Sequence, residues 1–147
     1  MPELISSYLH DTTPILRYPE ATRPWQHVLD CLNAYLYCVQ DLLAGNSGAI
    51  WNVGPNFDSH ATVRQIQEMV AANFGKPKNM VQIEKSELHE ANFLSLDSSK
   101  LRNTLCWQNK YSLEEAVKET TTWHFRVANG EAPEVVSQEL VKKFLKK

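Results

Sequence analysis

Histidine is the side chain whose charge changes nearest neutral pH, and the 147-residue chain carries five, at positions 10, 27, 60, 89 and 124. None sits at a spacing that pairs it with a carboxylate in the sequence, so each taken alone reads as a surface or core residue. His89-Glu90 begins like the zinc motif H-E-x-x-H, but the second histidine is missing. Cys31, Cys38 and Cys106 are odd in number and lack metal-ligand spacing. Cys31 and Cys38 share a helical face two turns apart, too far for a disulfide. No tyrosine is followed four residues later by lysine, and no G-x-S-x-G is present. A backbone cradle for a pyrophosphate needs clustered glycines at a helix N-terminus. The chain has five glycines, none in a G-x-G-x-x-G or Walker pattern. Residue types and spacing therefore predict no metal site, no cofactor loop and no self-contained active site.

Length and composition suit one domain, spanning 1–147, with a real core: 43% of residues are apolar and 22% charged. A formal charge of −2 gives no electrostatic reason to expect nucleic acid or a membrane surface. The basic end, Val141 to Lys147, reads as an amphipathic helix whose lysines complement the helix dipole. No apolar stretch approaches the ~20 residues that span a bilayer. The opening residues lack a signal-peptide pattern, and the cysteine usage fits a reducing cytoplasm.

The elements that must position any site are mixed α and β. Leu4, Ile5, Tyr8 and Leu9 predict a first helix, and Pro14 to Tyr18 a short strand. An extended stretch through Leu29 leads to a strong helix opened at or near Asp30. Its apolar positions Leu32, Tyr35, Leu36, Val39, Leu42 and Leu43 recur three and four apart. Ala49 to Gly54 predicts a compact strand, Met80 to Ile83 another, and Phe93 to Leu96 a third. Thr62 is a candidate N-cap for a helix closed by Gly75, and Asp97 or Ser98 caps a brief helix to Leu105. Ser112-Leu-Glu-Glu115 has the form of a capping box, and Pro133 opens the last helix. The class is α/β without a clean βαβ series.

The segment Arg17-Tyr-Pro-Glu-Ala-Thr-Arg-Pro-Trp-Gln-His-Val-Leu-Asp30 resembles the R-N-P-x-A-x-R-P-W-Q-H-V-L stretch of CDP-glucose 4,6-dehydratases. The resemblance continues in order through Trp51-Asn-Val-Gly-Pro-Asn56, Thr62-Val63, His89-Glu-Ala91, Leu96-Asp97, Ser99-Lys100, Leu105-x-Trp107 and Ser112 to Ala116. It covers roughly residues 14 to 125. The later elements are shared more loosely by extended short-chain dehydrogenase/reductases that act on sugar nucleotides. The resemblance implies the C-terminal, sugar-nucleotide-binding part of such an enzyme, without the N-terminal Rossmann half. In the complete enzymes that half holds NAD and the Tyr-x-x-x-Lys pair, so the chain itself would hold no cofactor and would not turn over substrate alone.

By the same resemblance, Arg23 is the leading contact to the diphosphate of CDP-glucose or a related sugar nucleotide, through the planar fork of its guanidinium. Trp25 would wall the pocket or pack in the core, and His27 would donate to a phosphate or sugar hydroxyl or make a structural hydrogen bond. His89 and Glu90 fall near a second set of phosphate and ribose contacts. Asn52 follows the strand motif and would line the site or satisfy a turn. Trp51, Trp107 and Trp123 read as core. Two residues depart from the family pattern. Cys106 replaces the glycine of L-G-W, costing about 1 kcal/mol if the helix end stays left-handed. Asn109 stands where proline is usual.

Three roles remain open on the sequence: a dehydratase piece acting with a separate Rossmann half, a non-catalytic sugar-nucleotide-binding module, and a self-associating remnant. A surface that lost its Rossmann neighbour would expose apolar side chains, and the first helix, with Leu4, Ile5 and Leu9, is a candidate for part of that patch, with a homo-oligomer as one result.

Overall fold

A computed structural model describes residues 1–46, 48–84 and 91–147. In chain order the elements are α1 (Pro2–Leu9), β1 (Ile15–Leu16), β2 (Thr22–Pro24), α2 (Val28–Leu43), a 3-10 turn (Phe57–Ser59), β3 (His60–Thr62), α3 (Val63–Asn73), β4 (Gln82–Ile83), α4 (Ser99–Leu105), α5 (Leu113–Ala128) and α6 (Pro133–Leu145). The strands form two small sheets. β1 pairs parallel with β4, and β2 pairs antiparallel with β3 in the register Thr22↔Thr62, Arg23↔Ala61, Pro24↔His60. This is the mixed α/β class that the sequence predicts.

Local chemistry accounts for the helix starts. Thr62 and Gln65 exchange side-chain and backbone hydrogen bonds at the start of α3, and Ser112 and Glu115 do the same at α5. Each reciprocal pair satisfies two backbone N–H groups that the helix cannot bond internally. At α4 the carboxylate of Asp97 accepts from the Ser99 N–H at 2.8 Å, while Ser98 Oγ turns away to donate to the Gly54 carbonyl at 3.0 Å.

The largest core lies between α1, α3 and α5. Leu4, Ile5, Tyr8, Ile66, Val70 and Val117 are buried there with Leu16 and Ala61. The Tyr8 hydroxyl inside this core accepts from Gln67 Nε2 at 2.6 Å and donates to the Met80 carbonyl at 3.2 Å. A second cluster gathers Ala34 of α2, Leu101 of α4 and Trp107, and a third joins Tyr111, Ala116 and Phe144. α6 is tied back to α5 by the ion pairs Lys143–Glu119 and Lys147–Glu115.

Three expectations are corrected. The first helix is no exposed patch: Leu4 and Ile5 are at most 5% exposed, and Leu9 is half-buried against the same core. The apolar face of α2 is the exposed one instead. Of its sixteen residues only Asp30 and Ala34 are buried, while Leu32, Tyr35, Leu36, Val39, Leu42 and Leu43 all lie open. The helical period was read correctly, but it turns this face outward, because α2 touches the rest of the fold along the opposite edge, through Ala34 and α4. The second correction is Ala49 to Gly54, which forms no strand, and the third is Phe93 to Leu96. A strand requires a ladder partner, and among the described residues none pairs with Ala49 to Gly54. Phe93 to Leu96 likewise contributes only an isolated bridge, Thr22↔Phe93.

Candidate functional site

The short β2–β3 ribbon sets the position of Arg23. Its neighbour Thr22 is bonded on both sides, to Thr62 across the ribbon and to the 92–94 segment, where the Thr22 N–H donates to Asn92 at 2.8 Å and the Leu94 N–H donates to Thr22 at 3.1 Å. Arg23 Nη1 donates to the Thr22 carbonyl at 2.8 Å and to the Ala91 carbonyl at 2.9 Å. These two bonds fix the plane of the guanidinium at the seam between β2 and the segment beginning at Ala91. Ala91 directly follows Glu90 in the sequence. His89 and Glu90 themselves lie outside the described residues.

Trp25 packs against the main core, and its indole N–H donates to the Ala61 carbonyl at 2.9 Å. It therefore clamps the ribbon to the helices, the packing role of the two expected for it. Two residues on, His27 is 4% exposed and caps α2: its Nδ1 accepts from the Leu29 N–H at 3.1 Å. That bond requires Nδ1 to be unprotonated, which leaves Nε2–H as the ring's donor. The ring meets Tyr111 edge-on with centroids 5.1 Å apart. Burial lowers the His27 pKa below the ordinary histidine value, with Glu119 pulling weakly the other way.

His27 also lines a cavity of about 300 Å³ between the first turn of α2, α5 and α6, together with Val28, Trp123, His124 and Leu140. Neither Arg23, Trp25 nor Asn52 lines it. His124 is shifted down by burial, as His27 is, and Trp123 donates to Ser137 Oγ at 3.0 Å across the α5–α6 contact. Sequence reasoning set His124 aside. The signal that could have found it is its place beside Thr120 and Trp123 on the α5 face that meets α6.

Asn52 is exposed in the irregular segment after Trp51. Trp51 is partly buried against the Ala34–Leu101–Trp107 cluster, with the Lys100 ammonium 4.7 Å from its ring centroid. Trp107 is fully buried. A further pair missed in the sequence lies beside the ribbon: His60 Nε2 is 3.0 Å from Ser95 Oγ, and its ring stacks on Phe93 at a centroid distance of 5.9 Å. The arrangement thus brings Arg23 to the 91–94 segment, Trp25 to the core and His27 to the α5–α6 cavity. No group of three or more His, Cys, Asp or Glu side chains among the described residues could hold a metal ion. No described helix is long and apolar enough to cross a membrane.

No protein-family model matches the chain. CDP-glucose 4,6-dehydratase of Salmonella typhimurium is 28% identical over 147 residues, covering 99% of this chain and 41% of the Salmonella protein. UDP-glucose 4-epimerase of Rhizobium meliloti is 27% identical over 108 residues, 74% of this chain and 32% of that protein. The chain therefore spans a third to two fifths of the length of these relatives. Among solved structures, dTDP-glucose 4,6-dehydratase of Bacillus anthracis, in complex with NAD, superposes with a TM-score of 0.73 at 23% identity, over 85% of this chain and 38% of that one. UDP-glucose 4-epimerase of Thermotoga maritima, solved with UDP-glucose, gives 0.74 at 21% identity, over 84% and 38%. The resemblance carried by R-P-W-Q-H-V is borne out over nearly the whole chain: it is similar to CDP-glucose 4,6-dehydratase and has the mixed α/β fold of part of the extended short-chain dehydrogenase/reductases.

Proposed function

We propose that residues 1–147 form one sugar-nucleotide-binding domain of a CDP-glucose 4,6-dehydratase-like system. In the complete reaction NAD takes hydride from C4 of CDP-glucose, water leaves across C5–C6, and hydride returns to C6, giving CDP-4-keto-6-deoxyglucose. This chain has neither a dinucleotide loop nor a Tyr-x-x-x-Lys pair, so the hydride chemistry falls to an NAD-binding half supplied from outside residues 1–147. The role proposed for residues 1–147 is to bind and orient the sugar nucleotide.

The observation that supports this reading most is Arg23. It matches the arginine of the R-P-W-Q-H-V element, and two carbonyl bonds hold its guanidinium in one orientation beside Ala91. A positioned guanidinium can grip a diphosphate through parallel charge-assisted bonds. His89 and Glu90, just before Ala91 in the sequence, are proposed as its neighbours in the site, and Asn52 as a residue of its rim. His27 is proposed to cap α2 through Nδ1, with Nε2–H left as the donor that a phosphate or sugar hydroxyl would meet.

Calorimetric titration of CDP-glucose into the folded chain tests the reading, with UDP-glucose as the control. Saturable binding that prefers CDP-glucose is the expected outcome. Absence of binding, both alone and after addition of the NAD-binding half of the Salmonella enzyme, would overturn it.

A further inference from the structure

The cavity between the first turn of α2, α5 and α6 stands apart from the proposed diphosphate contact, since Arg23 is not among the residues that line it. Its volume of about 300 Å³ reaches the lower end of the range in which proteins hold small molecules, ~300–1,000 Å³. Val28, Leu29, Leu140 and Val141 make the wall mostly aliphatic, and Trp123 adds an aromatic surface. No aspartate, glutamate, lysine or arginine lines it.

The polar groups that remain free there are donors. His27 is 4% exposed and its Nδ1 accepts from Leu29, which leaves Nε2–H without a partner among the described residues. Ser137 Oγ accepts from Trp123 Nε1 at 3.0 Å, so its own O–H is left to donate. Thr120 is already committed, because its hydroxyl donates to the Ala116 carbonyl at 2.7 Å. Burial lowers the pKa of both lining histidines, His27 and His124, so neither ring carries charge at neutral pH. The charge felt at His27 is that of Glu119, which disfavours an anion. A donor held away from water and left unpaired is costly, and a molecule that brings an acceptor removes that cost.

We infer that this cavity binds a small, uncharged ring compound carrying a carbonyl oxygen, its rings against Trp123 and Leu140 and its oxygen accepting from His27 Nε2–H. A hydrocarbon would fill the space but leave the donors unpaired. A carboxylate would meet them but bring a charge into an apolar wall that holds no cation. The Nε2–H is the same donor offered to the sugar nucleotide, so an occupant here and a sugar nucleotide that reaches His27 would exclude one another.

The inference goes beyond the proposed sugar-nucleotide function, and the two fail separately: loss of CDP-glucose binding leaves the cavity result standing, and the reverse. Benzophenone, a neutral two-ring ketone, is the probe, titrated into the isotope-labelled chain and followed by the shifts of its backbone and indole N–H signals. Diphenylmethane has the same rings without the carbonyl, and benzoylbenzoate adds a carboxylate. Benzophenone should give saturable shifts centred on Leu29, Thr120, the Trp123 indole and Leu140. Diphenylmethane should bind about three- to tenfold more weakly, the worth of one hydrogen bond, and benzoylbenzoate more weakly than benzophenone. Val141→Trp, at a rim position 39% exposed, should fill the space and abolish the saturable shifts while leaving the helical circular dichroism unchanged. Absence of saturable shifts in the wild-type chain would overturn the inference, whether or not that variant folds. So would equal affinity for diphenylmethane, tighter binding of benzoylbenzoate, or unchanged binding by folded Val141→Trp.

Discussion

The carboxylate of Asp30, in the first turn of α2, accepts the backbone N–H of Lys110 at 2.7 Å and that of Tyr111 at 3.4 Å, eighty residues away in the chain. Asp30 is 1% exposed, and burial raises its pKa, opposed by the two N–H groups and by Lys147 and Lys110. It is the strap that holds α2 to the entry of α5, and so holds His27 and the exposed face in place. Asp30→Ala leaves two buried donors without an acceptor. The expected loss is roughly 2–3 kcal/mol, because relief of a buried charge offsets part of the two lost bonds. Asp30→Asn keeps the Lys110 bond and should lose less. Urea denaturation of the two variants checks the order.

His27 makes stability depend on pH. Its folded pKa lies below the unfolded value of about 6.5, with burial as the cause, and His124 is shifted in the same direction by burial. A lowered folded pKa means that the unfolded chain takes up the proton first. The stability is complete above about pH 6.5 and is lost as pH falls through the folded values. Protonation of Nδ1 would also remove the acceptor that caps Leu29. Thermal melts between neutral pH and pH 5 should show a falling midpoint. His27→Asn keeps a capping acceptor without a proton to gain and should flatten part of that slope. An unchanged slope in this variant would remove His27 as its source.

Features governed by neighbours in the chain were legible in the sequence. The N-cap at Thr62 and the capping box at Ser112 depend only on near neighbours, and both form as read, with Gln65 completing a second box at Thr62. The left-handed end of α4 was expected only from the glycine that the resembled family carries where Cys106 stands. What failed depended on partners. The period of α2 revealed a stripe, but period alone does not say whether a stripe faces a core or water. Ala49 to Gly54 has strand composition, yet pairing depends on a neighbour that no local pattern supplies. Asp30 gave no signal, because its two partners lie eighty residues downstream. For the candidate site, the motif singled out Arg23, which two backbone carbonyls hold in one orientation, whereas the cap that His27 makes at Leu29 is not announced by its neighbours in the motif.

Cys106 ends α4 with φ 55° and ψ 23°, the left-handed conformation that favours glycine. Its side chain is exposed. Cys106→Gly therefore removes strain without emptying a core position. The expected gain is about 1 kcal/mol, a rise of roughly 2–4 °C in Tm for a chain of this size. Calorimetry under reducing conditions measures it, and an unchanged or lower Tm would count against strain at this position.

Gly54 is held face to face with Leu96. A β-carbon there would lie 2.8 Å from Leu96 Cβ and 3.3 Å from the Leu96 carbonyl oxygen. The Gly54 carbonyl also accepts from Ser98 Oγ and Arg102 Nη2, each at 3.0 Å. Gly54→Ala should push the 51–56 segment from the 94–98 segment and cost about 1–3 kcal/mol, as overpacking does. Denaturation gives the stability. A loss of Trp51 fluorescence shift on unfolding would report the local opening.

Arg23 carries the ligand prediction. If its guanidinium holds the diphosphate, Arg23→Ala should weaken CDP-glucose binding by about 1.5–3 kcal/mol, roughly ten- to a hundredfold in Kd. The alanine variant also gives up the bonds to Thr22 and Ala91, so its unfolding must be measured alongside. Arg23→Lys separates the two effects: it keeps the charge but not the planar fork that reaches two acceptors at once. A diphosphate contact predicts that lysine restores only part of the affinity. A purely structural role at the β2–Ala91 seam predicts loss of stability in both variants, with unchanged affinity in whatever fraction remains folded. That second pattern would remove Arg23 from the site and with it the main support for sugar-nucleotide binding by this chain.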